Sequence, residues 1–142
     1  MATAVGKFAR WMGERGFFAE VAVEVESPSA TPGIEVRLSE SGWILEFYIE
    51  DIPVTGDTAW NEGARIGAEY ALSVANTQSA RVVITRISGM TTDTNPSVVA
   101  AASALAVWTA LNFTPTNEVI ACVETVVFNS WRQSPDALPQ FV

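Results

Sequence analysis

The sequence predicts an α+β domain: a two-layer sandwich in which a mixed sheet of about five strands carries two helices on one face, in the order β-β-β-α-β-α-β. Three observations predict it. Phe17–Glu26 alternates apolar and polar residues, the period of a strand with one buried and one wet face. Residues 58–76 repeat small and apolar residues along a single helical stripe, which asks for one covering layer. The run Arg81–Phe113 reads as a β-branched strand, a polar turn TTDTNP, and a helix with almost no polar face. A helix apolar all round must be covered all round.

Each element follows from local pattern. Val5, Phe8, Ala9 and Met12 fall on one side of a short helix over residues 4–13, which Gly13 and Gly16 then break. In the strand that follows, Phe17, Ala19, Val21, Val23 and Val25 face inward, and Glu20, Glu24 and Glu26 face out. SPSATPG (27–33) is a loop by its two prolines and glycine. Ile34–Glu40 and Trp43–Glu50 pattern as a hairpin around Ser41-Gly42. The first long helix is capped by Asp57 or Thr58 and ends at Asn76. Gly63 and Gly67 each cost it about 1 kcal/mol relative to alanine, a cost that close approach to another backbone would explain. Arg81–Ser88 is a strand. Thr94 or Asn95 caps the apolar helix, and Pro96 suits its first position. Glu118–Trp131 patterns as a last long strand, and residues 132–142, with two prolines, as an extended tail. The whole of 1–142 reads as a single domain.

Composition narrows the function classes. The chain has 142 residues, and a domain of this size buries roughly 68–70% of its unfolded surface. Sixteen acidic and eight basic residues give a net charge of −8, which disfavours nucleic acid and anionic membranes as partners. There is no histidine, Lys7 is the only lysine, and Cys122 is the only cysteine, placed in what reads as an apolar strand. Serine–histidine and cysteine–histidine catalysis within one chain are thereby excluded, as are histidine metal sites. No cofactor or metal is implied. The amino terminus has no apolar core of signal-peptide length, and the apolar run Val98–Phe113 is shorter than the roughly 20 residues a spanning helix needs. A cytoplasmic location is expected.

The element order over about residues 17–113 resembles the ribosomal protein S5 domain 2-like fold, a group that includes the fourth domain of elongation factor G. The resemblance implies a fold. Members of that group include RNA-contacting domains, small-molecule kinases, a dehydratase and a protease. The kinases' Gly/Ser-rich phosphate loop and the dehydratase's histidine ligands have no counterpart here. The protease's serine–lysine pair would have to use Lys7, in a terminal segment. The RNA-contacting members are usually basic, unlike this chain. No functional residue carries over, because fold alone does not give function.

Four features are candidate sites. The turn holding Thr92, Asp93, Thr94 and Asn95 joins a strand end to a helix N-terminus, a place where ligands often bind; a helix cap needs the same residue types. Asp57 opens the other helix, and with Glu50, Asp51, Glu62 and Asp93 it could form a carboxylate set for a hard cation or acid–base work. Glu20, Glu24, Glu26, Glu35, Glu46 and Glu50 make an acidic outer sheet face, either solvated or open to a basic protein partner. The helix Val98–Leu111 presents small residues that a second subunit could cover. The reading that follows is a non-catalytic protein-association domain forming a homo-oligomer through that helix. The alternatives are a small-ligand binder or carboxylate enzyme at the Asp57 and Asp93 turns, and a translation-related RNA contact by fold analogy.

Overall fold

A computed structural model of the chain describes residues 1–38, 49–51, 58–90 and 92–141. It contains strands β1 (Ala2–Met12), β2 (Arg15–Glu26), β3 (Gly33–Val36), β4 (Ile49–Asp51) and β5 (Arg81–Met90). The helices are α1 (Thr58–Val74), α2 (Pro96–Ala110) and α3 (Asn117–Phe128), followed by a 3-10 turn at Ser130–Arg132. The sheet runs β1-β2-β5-β3, with β4 also paired to β5. β3 lies parallel to Arg81–Ile84, and β4 antiparallel to Ser88–Met90, so the sheet is mixed and the fold class is α+β.

Alternation builds the inner face. Gly6 and Phe8 of β1 lie beside Val21 and Ala19 of β2. Val21 and Val23 lie in turn beside Ile87 and Ile84 of β5. Strict alternation along β5 would send Ile87 to the opposite face from Ile84. A bulge at Thr85 restores it: Val23 pairs with Ile84 and Ala22 with Arg86, and the extra residue shifts the phase by one. Val82, Ile84 and Ile87 are all fully buried as a result.

The apolar helix is enclosed by its own chain. On the sheet side, a β-carbon at Gly6 would lie 2.1 Å from the carbonyl oxygen of Ala102. On the α1 side, β-carbons at Gly63 and Gly67 would lie 2.4 and 2.1 Å from the carbonyl oxygens of Pro96 and Ala100. The two α1 glycines thus give the close backbone approach that their spacing implies. Two side chains lock the same contact: Ser103 Oγ donates to the Ala64 carbonyl at 2.7 Å, and Trp108 Nε1 to that of Ala71 at 3.1 Å. α3 completes the cover, burying Val123 and Val127. Val98–Ala102 are fully buried.

Several expectations are corrected. Residues 4–13 are not a helix but most of β1, joined to β2 by a two-residue turn at Gly13-Glu14. Val5, Phe8, Ala9 and Met12 fit helical spacing, but pairing with β2 along all eleven residues outweighs it. Glu118–Trp131 is not a strand but α3 with its 3-10 extension. Its β-branched content suggests a strand, yet Val119, Val123 and Val127 repeat every fourth residue, and Thr116 Oγ1 caps the helix by accepting from the Val119 N–H. Cys122 is therefore a half-buried helix residue. Among the described residues there are three helices, not two, and the observed order is β-β-β-β-α-β-α-α. The hairpin turn expected around Ser41-Gly42 lies outside the described residues; β3 and β4, on either side of it, each pair with β5. The surface expected to associate, Val98–Leu111, is largely covered by the chain's own elements, with Leu105, Ala110 and Leu111 half-buried and Thr109 exposed.

Candidate functional site

The TTDTNP turn is built into the fold by the side chains of Thr94 and Asn95 and the backbone of Asp93, while Thr91 lies outside the described residues. Asn95 is the N-cap of α2: its Oδ1 accepts from the Val98 N–H at 3.0 Å. Its Nδ2 donates to Ser130 Oγ at 2.8 Å, and that hydroxyl donates to the Val127 carbonyl. Thr94 Oγ1 accepts from the Met90 N–H at 2.8 Å and donates to the Phe18 carbonyl. Both side chains are buried. Asp93 ties the turn to β2 through its carbonyl, which accepts from the Phe18 N–H at 2.9 Å. Its carboxylate rests against Gly16, where a β-carbon would lie 2.7 Å from Oδ2. Thr92 is exposed. Asp57 lies outside the described residues, so no convergence of the two turns can be drawn.

Beside Asp93 lies an open recess of ≈ 290 Å³, lined by Arg10, Trp11, Gly16, Phe18 and Met90 among others. A larger one of ≈ 580 Å³ sits at the far end of the sheet, around Ala2, Glu26, Thr77 and Asn112, and holds none of the sequence-predicted site residues. Among the described residues no group of three or more carboxylates and cysteines is placed to hold a metal ion. Among them, too, no helix is long and apolar enough to cross a membrane.

The outer sheet face is less acidic in space than in sequence. Glu20 meets Arg86 at 3.3 Å, and Glu35 is shared by Arg37 and Arg81. The amino-terminal basic residues separate. Lys7 lies on the outer face, its Nζ 5.8 Å from the Phe18 ring centroid. Arg10 lies on the helix side, over Phe8 and 3.9 Å from Glu124, while Arg15 stacks on Trp131 at 3.8 Å. They make no continuous basic patch of the kind RNA binding needs.

Among the described residues, Tyr70 is the titrating group with a clear shift. Burial raises its phenol pKa first, and Cys122 beside it raises it further. The ring also stacks on Phe141 at 4.5 Å, so it joins α1, α3 and the tail as packing.

The feature that sequence reasoning missed is the rim of β1. Val5, Trp11 and Met12 are 49%, 73% and 51% exposed, Val5 and Trp11 on the outer face and Met12 on the helix side. Among the described strands β1 pairs with β2 alone, so among the described residues its other edge is open. Gly13-Glu14 followed by an alternating strand is the hairpin signal that points to it.

No family model matches the sequence, and no curated protein resembles it. A solved structure does match in fold: the crystal structure of ttk003000868 from Thermus thermophilus, with a TM-score of 0.58 and 15% identity over 92% of this chain. This chain spans about a fifth of that protein, 20% of its length. At that identity the likeness is one of fold.

Proposed function

We propose that the chain is a cytoplasmic, non-catalytic protein-association domain that forms a homo-oligomer, and that its contact surface is the open edge of β1 rather than helix α2. One observation carries the reading: an eleven-residue edge strand displays Val5, Trp11 and Met12 to solvent. Edges of this length are features that soluble proteins otherwise shorten, charge or cover, and among its outward-bonding positions β1 carries Lys7 as the one charge. The non-catalytic part is supported by the TTDTNP turn, whose Thr94 and Asn95 groups are committed to capping and to tying β2 and Ser130 in place. The single half-buried cysteine suits a reducing compartment. Light scattering at micromolar concentration tests the reading: a mass of two or more subunits supports it, and a strict monomer contradicts it.

A further inference from the structure

At one register of the β1 edge the large exposed outer-face residues Val5 and Trp11 meet, and we infer that a second copy of the chain pairs there, antiparallel about a two-fold axis at Phe8, to continue the sheet from one subunit into the next. The inference rests on the association reading above and names the occupant and the register.

Met12 and Arg15 flank the turn and lie opposite each other, and Gly13 has a φ of 65°. That is the first central position of a two-residue type II′ connection, in which the flanking residues exchange hydrogen bonds. In an antiparallel pair such hydrogen-bonded positions alternate. Even-numbered residues of β1 therefore bond to β2, and Thr3, Val5, Lys7, Ala9 and Trp11 turn their N–H and C=O groups to the open edge. Those same odd positions lie on the outer face, with Lys7 over Phe18.

Side chains then select the register. A two-fold at Phe8 sets Val5 across from Trp11 of the second copy, and Lys7 across from Ala9. The two large outer-face apolar residues of the strand cover each other, and the two Lys7 side chains lie diagonal rather than directly opposed. A two-fold at Lys7 would set Lys7 against Lys7, which like-charge pairing disfavours. Charge also favours this edge over the rest of the surface. Each copy carries −8, yet Ala2–Met12 contains no acidic residue. A second copy can approach there with the least acid–acid contact, and the dimer tightens as salt screens the remaining repulsion.

The test uses the full chain with Cys122→Ser as background and places single cysteines in β1. Directly opposed residues in an antiparallel pair fall within disulfide reach, and diagonal ones lie beyond it. Mixing Lys7→Cys with Ala9→Cys chains under mild oxidation is expected to give a covalent dimer in far higher yield than either chain alone. A covalent dimer from Lys7→Cys alone would overturn the register while leaving association intact. A protein that dimerises with no crosslink at either position would overturn β1 as the contact while leaving association intact. A strict monomer would overturn both. Ala9→Pro serves as a second variant, because it removes one outward N–H and leaves the bonds to β2 in place. It should raise the dimer dissociation constant about tenfold or more; an unchanged constant at full stability counts against the edge.

Discussion

Gly67 of α1 lies directly against Ala100 of α2: a β-carbon at position 67 would sit 2.1 Å from the Ala100 carbonyl oxygen. One turn away, Gly63 meets Pro96 in the same manner, with 2.4 Å left for a β-carbon. The helices touch backbone to backbone, and that contact closes one side of a helix with no polar face.

Gly67→Ala should therefore destabilise the fold despite improving helix propensity. The substitution gains about 1 kcal/mol in propensity. It also forces two backbones apart, and overpacking of this kind costs about 1–3 kcal/mol or more. Urea denaturation should show a lower midpoint for Gly67→Ala than for wild type. A raised midpoint would mean that the helices part easily.

Asn95→Ala should cost about 2 kcal/mol, half for the lost cap and half for the buried bond to Ser130. Asn95→Ser keeps a capping oxygen and should recover roughly half of that. Asp93→Ala should stay within about 0.5 kcal/mol, since its carboxylate is half-exposed and its structural bond is made by the backbone. Thermal denaturation of the three variants checks the ordering. An Asp93→Ala loss as large as that of Asn95→Ala would reopen the turn as a site.

Ser103→Ala should cost about 1 kcal/mol through the lost bond to the Ala64 carbonyl, and Trp108→Phe more than that, because it loses the bond to the Ala71 carbonyl and also leaves a cavity in the core. Both bonds span the α1–α2 contact, so the double variant should show less than additive loss. A double-mutant cycle in urea measures that coupling.

Much of this core is legible in the sequence, and the reasons are local. Phe17–Glu26 alternates without exception at its buried positions, so β2 is plain. Asn95 and Pro96 mark the start of α2 by cap chemistry, and Gly63 and Gly67 announce a close approach four residues apart. The misreadings arise where two periods fit the same residues. In β1, Val5, Phe8 and Met12 satisfy a helical stripe, and only pairing with β2 decides otherwise. In α3, β-branched valines suggest a strand, while packing of Val123 and Val127 on α2 imposes a helix. The β5 bulge at Thr85 is a tertiary adjustment that no local pattern marks. The one sequence mark of β1 is the Gly13-Glu14 turn ahead of an alternating strand, and the helical stripe of Val5, Phe8 and Met12 competes with it.

Tyr70 should make stability fall at high pH. Its ionised form is disfavoured in the folded chain, where burial and then Cys122 raise the pKa. The unfolded chain loses that proton first, near a pH of about 10. Stability from this group is thus fully present below about pH 10 and is lost as pH rises through the higher folded value. The slope of stability against pH above 10 should flatten in Tyr70→Phe, and absorbance titration should place the missing tyrosinate signal above the ordinary range. An unchanged slope would mean that Tyr70 is not held neutral by its burial.

Sedimentation equilibrium of the wild-type chain beside Ala9→Pro tests the central claim most directly. The claim predicts a wild-type mass of twice the 15.3 kDa monomer at micromolar concentration, more fully populated at high salt, with Ala9→Pro shifted toward monomer while its circular dichroism spectrum stays that of the wild type. A wild-type monomer at every concentration and salt would contradict it.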